Sequence, residues 1–333
     1  MVDIAHLNTF GLRAHARSLV QIHSVAEAQA FLQAKGSGNE PVLVLGGGSN
    51  VLFTKDWPGT VVQLCLQEVT FTPVSEAFTD VYAGAGVVWN NLVQQTVARG
   101  LGGLENLTLI WGWVGAAPMQ NIGAYGAEVK DTITQVHTLD AATGQARIFS
   151  NAECAFGYRD SVFKHTLKGK YWITGVTFRL ANNPRLNLNY GDIRKTLDEM
   201  EVNEPTVQDV SRAVAAIRTS KLPDPRQEGN AGSFFKNPEV APDIAAALQA
   251  RHPLMPNYPG AGGLIKIPAG WLIEQAGWKG HRRPHVGVHP RQALVLVHYG
   301  GGTGAELLQL AQDIQADVSA KFGITLSPEV NIL

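Results

Sequence analysis

The stretch that most limits the architecture is Val42-Leu43-Val44-Leu45, an apolar run of strand length. It flows through Gly46-Gly47-Gly48-Ser49-Asn50 directly into Val51-Leu52-Phe53. A glycine-rich loop leaving a strand invites a dinucleotide-binding Rossmann reading. That unit needs a helix after the loop and glycines at a G-x-G-x-x-G spacing. Here the loop delivers the chain into a second strand-like run, and the Rossmann assignment fails on that context. Two readings of the loop stay open. It is a glycine hairpin between paired strands, or its backbone N–H groups form a nest for an anion.

A second unusual stretch is Gly112-Trp113-Val114-Gly115-Ala116-Ala117-Pro118-Met119-Gln120-Asn121-Ile122-Gly123-Ala124-Tyr125-Gly126. Neither a helical period of 3.6 nor a strand period of 2 runs through it. Glycine loses more backbone freedom on ordering than any other residue, so such density needs a reason, usually close approach of the backbone to something. The stretch is either a long tight connection or a backbone wall for a large flat ligand.

Elsewhere the local signals are plain. Ser24 and Glu27 read as a capping box opening a helix through Val25, Ala28, Phe31 and Leu32, with Gly36 closing it. Residues 60–64, 69–72 and 81–86 read as strands, and Trp89, Leu92, Val93 and Val97 mark one face of a helix that stops at Gly100. Strands are expected at 133–139 and 146–149 around a turn, then a second capping box at Ser150 and Glu153, then a strong strand at 171–180. A polar loop around Tyr190 leads to a helix over 207–218, bounded by Pro223 and Pro225. Beyond them lies the small-residue run from Gly229 to Pro238. Helices are expected at 242–250, 270–276 and 305–321, with strands at 293–297 and 324–332.

At 333 residues the chain outgrows one core, so two or three domains are expected. A net charge of −1 leaves no basic excess for binding nucleic acid through its phosphates. Residues 1–7 lack a basic start ahead of an apolar core, so no signal peptide is read there. No apolar run is long enough to cross a bilayer. Cys65 and Cys154 stand alone and are read as ordinary thiols in a reducing cytoplasm. His281, His285 and His289 lie in a loop broken by glycine and proline, so no metal site is expected. Lys279, Arg282 and Arg283 read as solvated surface.

Taken jointly, the motifs carry a family resemblance. They are Asn8-Thr9-Phe10-Gly11, Leu45-Gly46-Gly47-Gly48-Ser49-Asn50, Gly103-Leu104-Glu105-Asn106-Leu107, Pro118-Met119-Gln120-Asn121-Ile122-Gly123-Ala124-Tyr125-Gly126, Phe156-Gly157-Tyr158-Arg159-Asp160-Ser161, Gly229 through Pro238, and Pro328-Glu329-Val330. In this order they closely resemble the UDP-N-acetylenolpyruvoylglucosamine reductases, flavoproteins that make UDP-N-acetylmuramate for bacterial cell walls. The loop around Tyr190 is similar to that of the longer, tyrosine-loop class.

The resemblance implies an α+β fold, with an FAD-binding domain of the vanillyl-alcohol-oxidase/PCMH type made of two α+β subdomains. These would span 1–70 (completed by 326–333) and 71–222, with a smaller α+β substrate-binding domain at 223–325. It implies non-covalent FAD lined by Gly46, Gly47, Gly48, Ser49, Asn50, Val51, Gly115, Ala116, Pro118, Gln120, Asn121, Gly123, Ala124 and Tyr125. NADPH would be the hydride donor and UDP-N-acetylglucosamine enolpyruvate the substrate, met by Tyr125, Arg159, Tyr190, Lys221, Ser233, Asn237, Tyr258 and Lys266. The enzyme is expected to be a cytoplasmic monomer serving peptidoglycan synthesis, and so cell shape and division, without nucleic-acid or membrane partners.

The chemistry sets its own demands. Hydride addition to the vinyl carbon remote from the ether oxygen puts negative charge on the neighbouring carbon and its carboxylate. Such charge calls for fixed donors or cations, each worth about 3–4 kcal/mol when well placed. Arg159 offers a permanent forked cation, and a neutral Glu329 could donate a hydrogen bond to the same group. Ser233 can protonate a carbanion if it is positioned; the family assigns it that role, with Arg159 and Glu329 as stabilisers. The chain departs from the family pattern at Trp111 and Trp113, where proline and a small residue are usual, and at Asn331, where this class often has arginine. Competing readings are an oxidase on the same flavin fold and a flavin-carrying binding protein without turnover.

Overall fold

The computed structural model describes residues 1–35 and 40–333, so the expected helix stop at Gly36 lies outside the described residues. The chain is an α+β protein that divides into two compact units. One comprises Met1–Ala16, Gly48–Trp57 and Lys221–Leu333; the other comprises Arg17–Gly47 and Pro58–Ser220.

The Arg17–Ser220 unit is built on a five-stranded antiparallel sheet. Its order is Ala146–Ser150, Ile133–Asp140, Tyr171–Ala181, Phe78–Gly84 and Val69–Pro73. The helix Trp89–Ala98 covers it, because Trp89, Leu92, Val93, Thr96 and Val97 fall on one buried stripe. The Trp89 indole donates to the Leu107 carbonyl at 2.9 Å and stands edge-on to Phe178. At Gly100 the chain turns with φ +70°, which ends the helix. A second apolar cluster gathers Ala28 and Leu32 of the helix Val25–Lys35 with Val62, Leu64 and Trp172. At the first capping box Ser24 Oγ accepts the Glu27 N–H, but the carboxylate returns to the N–H of His23 rather than of Ser24. The second box forms fully, yet it caps only the single turn Ala152–Cys154, because Ala155 goes left-handed at φ 45°.

In the other unit, the strands Gly229–Ser233, Val295–His298 and Val286–Val288 form an antiparallel sheet with the Val295–His298 strand central. The long helix Gly304–Phe322 buries Leu307, Leu310, Ala311, Ile314, Val318 and Phe322 in the main core of this unit. Thr303 and Glu306 close its start with a reciprocal capping box, and Gly323 at φ 70° closes its end. The expected strand over 324–332 is ladder-forming only at Asn331–Ile332. Ile324, Leu326 and Val330 are buried, so the residues alternate, but the partner changes along the way. Phe235 bridges Pro328, then Asn331–Ile332 pairs in parallel with Val51–Leu52. Alternation recorded burial rather than one continuous ladder. Among the described residues no helix is long and apolar enough to cross a membrane.

Candidate active site

The glycine loop is not a hairpin. Val42–Val44 pairs in parallel with residues from Thr60 to Val62, whereas Val51–Leu52 pairs with Asn331–Ile332. The loop is tied down mainly through its carbonyls. Gln63 Nε2 donates to the Gly46 carbonyl at 3.2 Å, and Thr9 N–H to that of Gly48 at 3.1 Å. The Asn50 carbonyl accepts both the N–H and the Nδ2 of Asn331, each at 3.0 Å. Among the described residues no protein acceptor faces the N–H groups of Gly46 and Gly47. Carbonyls tied to the protein beside spare N–H groups at Gly46 and Gly47 give the polarity an anion needs.

The stretch 112–126 is laid against the neighbouring sheet. The N–H groups of Val114 and Gly115 donate to the carbonyls of Val87 and Ala85, both at 2.9 Å. A Cβ on Gly115 would lie 2.7 Å from that of Ala85, so its glycine serves close packing. Val114, Ala117 and Pro118 face inward, leaving Ala116 exposed and Gln120, Gly123, Ala124 and Tyr125 half-buried. Asn121 is fully buried at φ 46°. Its Nδ2 donates to Glu128 Oε2 at 3.1 Å and the Gly157 carbonyl at 2.8 Å, while its Oδ1 accepts the Lys130 N–H at 3.0 Å. The Asn121 side chain is therefore spent on the protein, and only its backbone is left for a ligand.

Those bonds bring in Arg159. It sits at φ 53° on a tight turn where Gly157 and Asp160 exchange backbone hydrogen bonds. Its Nη2 donates to the Gly123 carbonyl at 2.6 Å, fixing the guanidinium to the wall. Tyr125, also left-handed at φ 50°, stands edge-on to Tyr190 with ring centroids 6.5 Å apart. Asn106 stitches this corner together, its Nδ2 donating to the carbonyls of Tyr125 at 2.9 Å and Asn187 at 3.0 Å. Tyr190 itself is 54% exposed.

Sequence reasoning missed Arg218. Burial pushes its guanidinium down from the usual range, Tyr125 opposes that shift and Arg159 adds to it, so two arginines and a tyrosine share one electrostatic neighbourhood. The signal available was one more basic residue near a helix end, which is too common to stand out.

In the Lys221–Leu333 unit, Ser233 ends its strand opposite Val295. Gly232, at φ 69°, donates its N–H to Asn230 Oδ1 at 2.9 Å and swings the chain into Ser233. The Glu329 N–H donates to the Phe234 carbonyl at 2.8 Å, so Glu329 lies one residue along from Ser233. The Glu329 carbonyl accepts Asn50 Nδ2 at 3.2 Å, which joins the end of the glycine loop to the same place. Asn237 Oδ1 accepts the Ala269 N–H at 2.9 Å, capping the helix Ala269–Gln275. Lys266 is opposite both Tyr258 and Glu239 in a small sheet and pairs with Glu239 at 3.4 Å. Tyr258 is 53% exposed, and Lys221 closes the helix Val207–Lys221 at the surface. Among the described residues no group of three or more His, Cys, Asp or Glu side chains is placed to hold a metal ion.

These features fit FAD. Spare N–H groups at Gly46 and Gly47 suit a diphosphate, and side chains no larger than methyl at Gly115, Ala116, Gly123 and Ala124 leave a flat ring room to approach backbone. Comparison with known families matches residues 16–150 to an FAD binding domain and residues 224–333 to the C-terminal domain of UDP-N-acetylenolpyruvoylglucosamine reductase. The reductase of that name from Chromobacterium violaceum is 51% identical over 100% of this chain and 98% of its own length. That from Flavobacterium johnsoniae is 44% identical over 99% and 98%. The chain belongs to the UDP-N-acetylenolpyruvoylglucosamine reductase family. It is an FAD-binding oxidoreductase.

The crystal structure of the family member from Thermus caldophilus shares the fold, with a TM-score of 0.68 at 22% identity, covering 100% of this chain and 97% of that one. A solvent-stable cholesterol oxidase superposes at 0.51 with 13% identity, covering 97% and 85%, which relates the two folds and nothing more. The α+β architecture of the flavin-binding type expected from the motifs is the one present.

Proposed function

We propose that this enzyme reduces UDP-N-acetylglucosamine enolpyruvate to UDP-N-acetylmuramate with NADPH, in the synthesis of peptidoglycan precursors. The observation that carries the reading is the Glu329-to-Phe234 backbone bond, which keeps Glu329 next to the strand end bearing Ser233. The family match supplies the reaction class.

Bound FAD would supply two-electron chemistry between NADPH and the substrate. Gly46, Gly47, Gly48, Ser49, Asn50 and Val51 would hold its diphosphate. The segment from Gly115 to Tyr125 would wall its ring, with Asn121 acting through backbone alone. Tyr190, Lys221 and Asn237 engage the substrate's diphosphate, and Tyr258 and Lys266 contact the substrate or the nicotinamide. Arg159, held to Gly123, presents its guanidinium to the substrate carboxylate as charge moves there. Glu329 in its neutral form donates to the same carboxylate. The Ser233 hydroxyl gives its proton to the carbon next to the ether oxygen, and solvent restores it. The working species is a monomer, and residues 223–325 carry the substrate-binding part.

The half-reactions test this. Anaerobic NADPH should bleach the flavin of wild type, and the enolpyruvyl nucleotide should restore its colour. In Ser233→Ala the bleaching should proceed at the wild-type rate while restoration slows about 10²–10⁴-fold, the span of general acid catalysis. Equal slowing of both steps would make Ser233 structural. Restoration by oxygen alone, with the nucleotide inert, would mark an oxidase instead.

A further inference from the structure

We infer that Trp113 is a phosphate-binding residue, its indole Nε1–H donating to the cofactor diphosphate held at Gly46 and Gly47. The inference rests on the proposed role of the Gly46–Asn50 loop and deepens it.

The geometry is specific about which edge of the ring meets the loop. A Cβ on Gly47 would lie 3.1 Å from Trp113 Cδ1 and 3.3 Å from its Nε1, while one on Gly46 would lie 3.7 Å from Trp113 Cβ. The pyrrole edge, which carries the N–H, is therefore the part packed on the glycine backbone. A Cβ at position 47 would press on it and on the Gly112 backbone, and one or the other would have to yield by a few tenths of an ångström. The presence of a large ring at 113 and the absence of one at 47 are two sides of a single packing arrangement.

The ring is delivered by a rigid frame. Trp113 forms an antiparallel bridge with Val88, the Gly112 carbonyl accepts the Trp89 N–H at 2.9 Å, and the Trp113 carbonyl accepts the Ala116 N–H at 3.0 Å. Its indole N–H has no acceptor among the described residues. Two other indoles do have acceptors, whereas that of Trp57 is buried without one. Trp89 donates to the Leu107 carbonyl and Trp278 to Asp317 Oδ2, both at 2.9 Å. An indole nitrogen only donates, so at Trp113 a donor lies beside the loop with nothing from the protein to take it. The N–H groups of Gly46 and Gly47 are spare in the same place. Three donors without an acceptor define a site for a strongly accepting anion, and a diphosphate is the accepting group this cofactor brings.

The test uses the full chain, labelled uniformly at nitrogen and stripped of flavin, with Trp113→Phe assigning the indole signal. Titration with FAD should move the Trp113 indole proton downfield and slow its exchange with water. ADP should move it the same way, and riboflavin, which has no diphosphate, should leave it in place. Trp113→Phe keeps a ring of similar shape without the N–H. It should bind FAD about 10–100-fold more weakly, the range for losing a hydrogen bond to a charged group, and bind riboflavin as wild type does.

If the Gly46 and Gly47 amide signals move with FAD while the Trp113 indole stays, the inference fails and the loop assignment stands. If FAD binds with neither moving, the loop assignment fails and takes the inference with it. A shift produced by UDP but not by FAD would assign the donor to the substrate and overturn the proposal. Should Trp113→Phe fold poorly, the wild-type indole signal decides alone, assigned through its proximity to Gly47.

Discussion

Single residues in this protein are fixed by unusually literal constraints. Gly48 is left-handed at φ +65°, and a Cβ there would sit 1.9 Å from the Leu7 carbonyl oxygen. Gly48→Ala must therefore adopt a disfavoured backbone and push Leu7 away at once. We expect a loss of about 2–4 kcal/mol from strain and overpacking together, read by urea unfolding, with weaker retention of FAD. A variant as stable as wild type would mean the loop repositions freely. Asn121 teaches a different lesson: its place in a family motif was legible in the sequence, but its side chain binds Glu128, Gly157 and Lys130. A motif records which residue is needed, not which of its atoms serves the ligand. Arg218 was invisible for the reverse reason. One arginine near a helix end is common, and only the fold brings it to Tyr125 and Arg159.

At the level of elements, periodic segments were readable and partner choice was not. The stripe of Trp89, Leu92, Val93 and Val97 specified its helix, because burying that face is the largest local free-energy gain available. The strand-loop-strand context of Gly46 to Asn50 likewise excludes a Rossmann fold on residue order alone. Yet nothing local says that Val51–Leu52 pairs with Asn331–Ile332 rather than with Val42–Val44, since both options satisfy the same alternation. The remote pairing carries real stability. Five hydrogen bonds tie Asn331 and Leu333 to Asn50, Leu52 and Thr54. Deleting residues 331–333 should cost about 2–5 kcal/mol at the usual net value per bond. It should also loosen Asn50, whose amide reaches the Glu329 carbonyl. Unchanged thermal unfolding with unchanged flavin retention would refute that.

For the molecule as a whole, acid should act in two stages. Burial pushes the imidazoles of His137 and His289 below their ordinary 6.5. The folded state then binds fewer protons than the unfolded one, so this stabilisation is complete above about pH 6.5 and drains away as pH falls below it. Asp209, held at about 2 by Thr206 first and Arg212 after, contributes stability above its ordinary 3.8 that is lost as pH falls towards 2. Melting temperature should be level above pH 7, decline gently towards pH 5, and fall again below pH 4. A rise in melting temperature between pH 7 and pH 5 would contradict the first stage. The tie between Thr54 and Leu333 has one further consequence, which concerns time. The partners are 279 residues apart, so at cellular synthesis rates Thr54 waits roughly 15–55 s for Leu333 to be made. Through that interval the strand Val51–Leu52 offers an unpaired edge. A growing chain is thus exposed to wrong partners at the very loop proposed to hold its cofactor, and free FAD or a chaperone would have most to offer it then.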